Sequence, residues 1–231
     1  MQENNILTKI NKKDWDGIYD PKSEQDSCGI GFVAQLDAVP RHSVVSDGVQ
    51  VLINLEHRGA IGGDKSTGDG AGILVRVPDK FFRKEFQKQG IPLPSIGDYA
   101  VGVVFLPKEQ SDIERCERTF EKIAQEEGCG IISWRDVPVY AEHLGELSRS
   151  TQPIIKQVFL SRESIKKLDF ERKLYVIRRL VEKEILSWKG VSSEYFYIPS
   201  LSSRKVVYKG MLTGTQLKTF FPDLGDEDLL H

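Results

Sequence analysis

The sequence lacks the features that mark membrane-spanning, secreted and nucleic-acid-binding proteins. No uninterrupted apolar run approaches the roughly 20 residues that span a bilayer. The first 27 residues carry Lys, Asp, Glu and Asn without the apolar core of a secretion signal. Positive charge is not in excess, because 32 Lys and Arg stand against 34 Asp and Glu, for a net charge of -2. The sequence therefore predicts neither a nucleic-acid partner nor a membrane.

Cysteine is also scarce. Cys28, Cys116 and Cys129 form an odd set without a Cys-x-x-Cys pair, which fits a reducing compartment and predicts a cytoplasmic protein. These three cysteines and the four histidines show no metal-ligand spacing, so we expect no metal in this segment. The sequence has no internal repeat and no low-complexity tract.

What is present is enough for a domain with a substantial core: 231 residues, 39% of them hydrophobic. Residues 1–27 are polar, show no sustained period and are interpreted as an extended leader. Beyond the leader, hydrophobic periodicity predicts strands over 31–36, 71–77, 99–106, 131–139 and 154–160, and a hairpin of 195–200 with 205–208. It predicts helices over 45–56, 79–88, 111–127, from 169 onward and over 214–221. Long helices between strands are typical of an α+β or layered α/β domain.

Cys28 stands where the polar leader meets the first predicted strand, and the small residues Gly29 and Gly31 follow it. A lone cysteine is more often a small buried hydrophobe than a nucleophile. Its context therefore has to carry any catalytic interpretation.

That context includes three short segments, 26–31 (DSCGIG), 55–60 (LEHRGA) and 67–72 (TGDGAG). In order and spacing they resemble the opening of the glutamate synthase large-subunit family. Segments 100–103, 134–138, 200–203 and 208–211 are similar to that family too, so the likeness covers essentially the whole chain. It implies an N-terminal class II glutamine amidotransferase domain of the N-terminal nucleophile type. The implied fold is α+β, a four-layered αββα sandwich, incomplete at its C-terminal end.

The resemblance implies that residues 1–27 are a propeptide and that 28–231 form the N-terminal part of the amidotransferase domain. Cys28 would then become the first residue of the mature enzyme and its catalytic nucleophile. A thiol needs a base, and the freed α-amine of Cys28 would supply one on the same residue. The implied reaction hydrolyses L-glutamine to glutamate and ammonia through a cysteine thioester. The ammonia would pass to 2-oxoglutarate elsewhere in the parent enzyme.

Two further residues are candidates for lining the substrate site. By themselves His57, Arg58 and Gly59 are typical of a helix end, with cations near the last turn and glycine as the stop. The resemblance places this loop beside the nucleophile, which makes Arg58 and Gly59 candidates for binding L-glutamine. The glycine-rich stretch 64–72 is not interpreted as a phosphate loop, because it lacks the Gly-Lys-Ser/Thr ending and does not lead into a predicted helix.

The resemblance also implies FMN and an iron-sulfur cluster in the parent enzyme, with no cofactor in this segment. Implied partners are the remaining synthase domains and a small reducing subunit. The family's oxyanion motif, His-Asn-Gly-Glu, and its carboxylate-binding motif, His-x-Arg-Phe-Ser-Thr-Asn, do not occur before His231. We therefore expect an N-terminal fragment that is inactive alone. Two alternatives stay open: another N-terminal-cysteine amide hydrolase, since a fold does not fix a substrate, or a non-catalytic folding and interaction module.

Overall fold

A computed structural model describes residues 29–58, 66–188 and 193–231. Its strands form two antiparallel sheets and its helices pack beside them, so the predicted α+β class is confirmed. The helices are α1 (His42–Asn54), α2 (Asp79–Gln87), α3 (Gln110–Glu126), α4 (Glu146–Ser150), α5 (Lys167–Leu186) and α6 (Gln216–Phe220). The strands are β1 (Ala71–Arg76), β2 (Tyr99–Leu106), β3 (Gly130–Asp136), β4 (Ile154–Ser161), β5 (Tyr197–Ser202) and β6 (Lys205–Gly210).

The larger sheet has four strands in the order β3-β4-β2-β5, and the smaller pairs β1 with β6. Strand β2 lies at the centre of the larger sheet, where Val101 pairs with Phe159 on one side and Ser202 on the other. Seven of its eight residues are buried, which is why it was predicted as one continuous apolar run. In the smaller sheet Ala71 pairs with Gly210, so the start of β1 and the end of β6 lie together.

The predicted hairpin of 195–200 with 205–208 is wrong. Both strands exist, but β5 pairs with β2 and β6 pairs with β1, so the chain passes from one sheet to the other within two residues. Each strand buries its apolar side chains in a different cluster, and Ile198 and Val206 are both fully buried. The Glu171 carboxylate holds the crossing, accepting hydrogen bonds from the backbone N–H of Ser203 at 2.7 Å and from its hydroxyl at 2.6 Å.

The predicted strand over 31–36 is also wrong, because this stretch has no strand pairing among the described residues. Its apolar character is real, yet Ile30 is 91% exposed and Phe32 is 92% exposed. An extended segment becomes a strand only when its backbone groups find a partner ladder. Strand β1 pairs with β6 and with no second strand in the described part of the chain.

The core consists of two apolar clusters on opposite faces of the larger sheet. On one face α2 packs onto β4, where the rings of Phe82 and Phe86 lie 4.9 and 4.4 Å from the ring of Phe159. On the other face α3 and α5 cover the sheet, and Phe120 meets Trp134 edge to face at 5.5 Å. Each buried phenylalanine contributes about 2 kcal/mol through its burial. The interpretation of Trp134 as a core or boundary aromatic is confirmed.

One polar network lies inside the first cluster. The guanidinium of Arg135 donates two hydrogen bonds to the Asp223 carboxylate, at 2.8 and 2.9 Å, and both residues are buried. Arg135 also donates to Gln157 at 2.9 Å, and the hydroxyl of Tyr208 donates to Asp223 at 3.1 Å. Because an unpaired charge is costly at such a site, this network fixes the 3-10 turn Pro222–Gly225 to the sheets.

Residues near His231 run beside the end of β1. Arg41 and His231 exchange two backbone hydrogen bonds, at 3.0 and 3.3 Å. The backbone N–H of Arg76 donates to the imidazole Nδ1 of His231 at 2.8 Å. Nδ1 accepts this bond, so the ring is uncharged there. This contact brings together three distant parts of the chain: the residues before α1, the end of β1 and the stretch after α6.

The His231 contact predicts a loss of stability in acid. Burial, followed by the nearby charge of Arg76, lowers the pKa of His231 below its ordinary value. The unfolded chain takes up this proton first, at about pH 6.5, so the contribution is present above that pH and is lost as the pH falls below it. Urea unfolding at about pH 7.5 and about pH 5.5 should show the drop. His231→Asn retains an acceptor and cannot titrate, so its drop should be smaller, and an equal drop would contradict the assignment.

Candidate functional site

The predicted site residues lie at or next to the positions that the structure does not describe. Cys28 and Gly59 lie outside the described residues, and so does the side chain of Arg58. The backbone of Arg58 ends a 3-10 helix, Glu56–Arg58, that directly follows the end of α1. The geometry around the site is therefore given by the residues that flank these three positions.

The first two family segments meet at Gly29. A Cβ placed on Gly29 would lie 3.3 Å from the side chain of Leu55, so Gly29 packs against the residue that precedes the Glu56–Arg58 turn. At Gly31 the approach is closer still, because a Cβ there would lie 2.4 Å from Cγ1 of Val51. A side chain at position 31 would therefore force Val51 to move, whereas at position 29 it would make a tight contact. The backbone leaving Cys28 thus lies against the end of α1.

The third family segment, 67–72, contacts the stretch 212–216, which in turn contacts the end of α1. A Cβ on Gly68 would lie 2.4 Å from the carbonyl oxygen of Leu212, and one on Gly214 would lie 2.6 Å from the carbonyl oxygen of Leu52. Backbone packs directly on backbone at both contacts. The stretch therefore joins the 66–70 loop to the end of α1. The loop leads into β1 and not into a helix, which agrees with the rejection of a phosphate loop.

Gln216 secures this arrangement, and sequence reasoning missed it. Its side-chain amide donates to the carbonyl oxygens of Ser66, at 2.8 Å, and His143, at 2.9 Å. The amide oxygen accepts the backbone N–H of Thr213 at 2.9 Å. Beside it, the hydroxyl of Thr215 donates to Glu56 at 3.3 Å. The only signal in the sequence is the small-residue run 213–215, which permits the close approach.

The Gly68 contact predicts a stability effect. Gly68→Ala would press a methyl group into the Leu212 backbone, which cannot rotate away, so we expect a loss of about 1–3 kcal/mol in the free energy of unfolding. Urea denaturation measures it. Gly225→Ala is the matched control, because its Cβ would meet only the Lys218 side chain at 3.8 Å. A Gly68→Ala variant as stable as the control would show that the loop is not packed on Leu212.

The other two thiols are poor nucleophiles. Cys116 and Cys129 are both buried. Burial, aided by the charge of Asp112, raises the pKa of Cys116 to about 12. Burial likewise raises the pKa of Cys129 to about 11. Thiolate is the reactive form, so at neutral pH neither residue fits the role of nucleophile.

An apolar cavity of about 370 Å³ lies beside the segment that follows Cys28. Val44, Val51, Leu52, Ile73 and Leu74 form much of its wall, and Gly29 and His231 border it.

Among the described residues no group of three or more His, Cys, Asp or Glu side chains is placed to hold a metal ion. None of the described helices is both long enough and apolar enough to cross a membrane.

Comparison with known proteins places the chain in a family. The model of the class-II glutamine amidotransferases matches residues 28–231, and so begins at Cys28. The glutamate synthase [NADPH] large chain of Bacillus subtilis is 42% identical over 213 residues, which are 91% of this chain and 14% of that protein. The corresponding large chain of Azospirillum brasilense is 43% identical over 90% of this chain and 14% of its own length.

A plant relative shows the same pattern. The chloroplastic ferredoxin-dependent glutamate synthase 2 of Arabidopsis thaliana is 37% identical over 91% of this chain and 13% of its own length. The chain therefore spans about one seventh of the length of these relatives. The family match covers the 66–70 loop, the Glu56–Arg58 turn and the 212–216 stretch that the structure brings together. The chain belongs to the class-II glutamine amidotransferase family.

Proposed function

We propose that this chain supplies the glutaminase half-reaction of a cytoplasmic glutamate synthase, with Cys28 as its nucleophile. The single observation that carries the proposal is the start of the family match at Cys28. The burial of Cys116 and Cys129 supports it, because buried thiols are poor nucleophiles. The resemblance of segments 55–60 and 67–72 to glutamate synthases, strengthened by the curated relatives, favours L-glutamine over other amides.

The proposed chemistry is acyl transfer to water. The Cys28 sulfur attacks the side-chain amide carbonyl of glutamine, and collapse of the tetrahedral intermediate expels ammonia and leaves a glutamyl thioester. Water then hydrolyses the thioester to glutamate and regenerates the thiol. The leaving nitrogen needs a proton and the attacking water must lose one, so one group has to work as acid and as base in turn.

We assign that proton transfer to the α-amine of Cys28, which exists only once residues 1–27 have been removed. An α-amine has a pKa of about 8, close to the thiol's own pKa of about 8.5, so a proton moves readily between the two groups. Within the peptide chain the same nitrogen is an amide and cannot act as a base. Removal of the leader is therefore proposed as the activating step.

Arg58 and Gly59 are proposed to line the glutamine site. The contact between Gly29 and Leu55 supports this, because it sets the residue after the nucleophile against the residue three positions before Arg58. FMN, the iron-sulfur cluster and a small reducing subunit are assigned to the parent enzyme and not to this segment.

The proposal is tested by mass spectrometry of the natural protein after exposure to an electrophilic glutamine analogue. We expect the mature chain to begin at Cys28 and to carry one label, on that cysteine. Cys116 and Cys129 should stay unlabelled, because their thiols are buried and protonated. An uncleaved leader together with a label on either buried cysteine would refute the assignment.

We propose that the described residues hold only part of an active site, and two observations support this. Ile30 and Phe32, on the segment next to the nucleophile, are almost fully exposed, whereas catalytic sites exclude water. Residues 1–231 also contain no His-Asn-Gly-Glu motif to stabilise an oxyanion. Loss of one oxyanion donor typically lowers the rate by about 100-fold or more. The 231-residue chain should therefore release ammonia from glutamine far more slowly than a natural glutamate synthase assayed beside it.

A further inference from the structure

A second apolar cavity, also of about 370 Å³, lies at the end of the two sheets where β6 runs out. Its wall is formed by the side chains of Phe105, Leu144, Ile155, Leu212 and Phe220. Leu144, Ile155, Leu212 and Phe220 are buried members of the core, so the inner wall of the cavity belongs to the core. Its size lies within the range of small-molecule sites, which begins at about 300 Å³. We call it the β6 cavity.

Two opposite charges line the β6 cavity without neutralising each other. Lys209 borders it from β6 and Glu194 from the 3-10 turn Ser193–Tyr195. Neither forms an ion pair within the described part of the chain, and the Lys209 ammonium lies 4.8 Å from the centroid of the Tyr197 ring. Both charges therefore remain available to a ligand that enters between them.

Two hydroxyls of the wall are already engaged. The hydroxyl of Ser148 donates to the carbonyl oxygen of Met211 at 2.8 Å. The hydroxyl of Thr151 donates to the carbonyl oxygen of Leu147 at 2.8 Å. A ligand group reaching the wall beside these residues therefore finds apolar contacts and hydroxyls whose donors are used. Besides the two charges at the rim, the side chains of Gln152 and Tyr195 also line the cavity and can contribute polar contacts.

We propose that the β6 cavity binds a free α-amino acid with an apolar side chain, its carboxylate on Lys209 and its ammonium on Glu194. An α-amino acid carries those two charges on one carbon, and its side chain leaves the same carbon toward the apolar wall. Methionine, leucine and phenylalanine have side chains of suitable size and chemistry.

The β6 cavity is connected to the loop beside the proposed nucleophile. Leu212 forms part of the cavity wall, and its backbone packs directly on Gly68. The start of β1 pairs with Gly210, which also lines the cavity. A ligand that fixes Leu212 therefore also fixes the 66–70 loop. The proposed site is thus placed to influence glutamine turnover, although its occupancy does not depend on that reaction.

Isothermal titration of the 231-residue chain with L-methionine, L-leucine and L-phenylalanine tests the proposal. We expect saturable binding with a dissociation constant on the order of 1 mM or tighter for at least one of them. The N-acetyl derivative and the carboxamide of the amino acid that binds should each bind about tenfold more weakly, since each lacks one charge.

Two substitutions separate the charges. Lys209→Met should weaken binding about tenfold and abolish the preference for the free acid over its carboxamide. Glu194→Gln should abolish the preference for the free amine over the N-acetyl form. Lys205→Met, on the same strand, and Glu109→Gln, at the start of α3, do not line the β6 cavity and should change nothing.

Several results would overturn the proposal. They are the absence of saturable binding by all three amino acids, unchanged affinity in Lys209→Met, and equal affinity of the wild-type chain for the N-acetyl form. Thermal unfolding with and without the amino acid shows whether each variant is folded. Because binding is measured without turnover, a failure of the glutaminase proposal would leave this result unaffected.

Discussion

Cys28→Ala is expected to lower glutaminase activity by at least about a thousandfold in the natural protein that carries this sequence. The sulfur forms the covalent bond in the proposed mechanism, and a methyl group cannot replace it. Ammonia release from L-glutamine is the measurement. The free energy of unfolding of the 231-residue chain should hardly change, because Ile30 and Phe32, just after Cys28 in the sequence, are almost fully exposed.

Cys116→Ala and Cys129→Ala are the matched controls. Both remove a thiol from the second core cluster, so they should lower stability and leave the rate per folded molecule close to that of the wild type. Activity that survives Cys28→Ala and disappears in either control would move the nucleophile to a different residue and contradict the proposed function.

Removing one partner of the buried Arg135–Asp223 pair should produce the largest stability loss of any single charge substitution considered. Asp223→Asn keeps the shape of the side chain but removes the closer counter-charge of the Arg135 guanidinium, which is 6% exposed, and leaves it only the Glu85 carboxylate at 3.4 Å. Loss of one partner of a buried pair typically costs about 3–5 kcal/mol. Urea unfolding should reveal it, and Arg135→Gln should behave similarly.

Two further variants serve as comparisons for this prediction. Glu126→Gln removes one partner of a solvent-exposed pair with Lys122, 3.9 Å apart, and should cost less than about 1 kcal/mol. The double variant Arg135→Met with Asp223→Leu should recover part of the loss, because apolar side chains need no counter-charge. If Asp223→Asn is no more damaging than Glu126→Gln, the pair does not anchor the 3-10 turn.

Elements whose apolar residues repeat regularly could be predicted from the sequence. Strand β2 was predicted at its observed bounds, and α3 and β4 within one residue, since the apolar residues of each face a core. The family resemblance was readable as well, because the segments at 26–31, 55–60 and 67–72 are contiguous. Contiguous patterns record local requirements, and those can be recognised without knowing the fold.

Features that depend on long-range partners could not be read in this way. The pairing of β5 with β2 and of β6 with β1 is a choice among strands distant in sequence, so a two-strand pattern with a short link looked like a hairpin. Gln216 joins Ser66 to His143 only once the chain has folded. Arg135 belongs to a segment that resembles the family, but its partner Asp223 lies 88 positions away.

The two-residue crossing between β5 and β6 has a consequence for how the molecule opens. Ser203 and Arg204 are too short a link to let the sheets separate while both strands stay paired. Separating the two sheets therefore requires that β5 leave β2 or that β6 leave β1. Amide hydrogens of β2, β5 and β6 should then exchange with solvent in one cooperative event, as a single unfolding unit. The outer helix α3, which carries no such link, can fray independently of it.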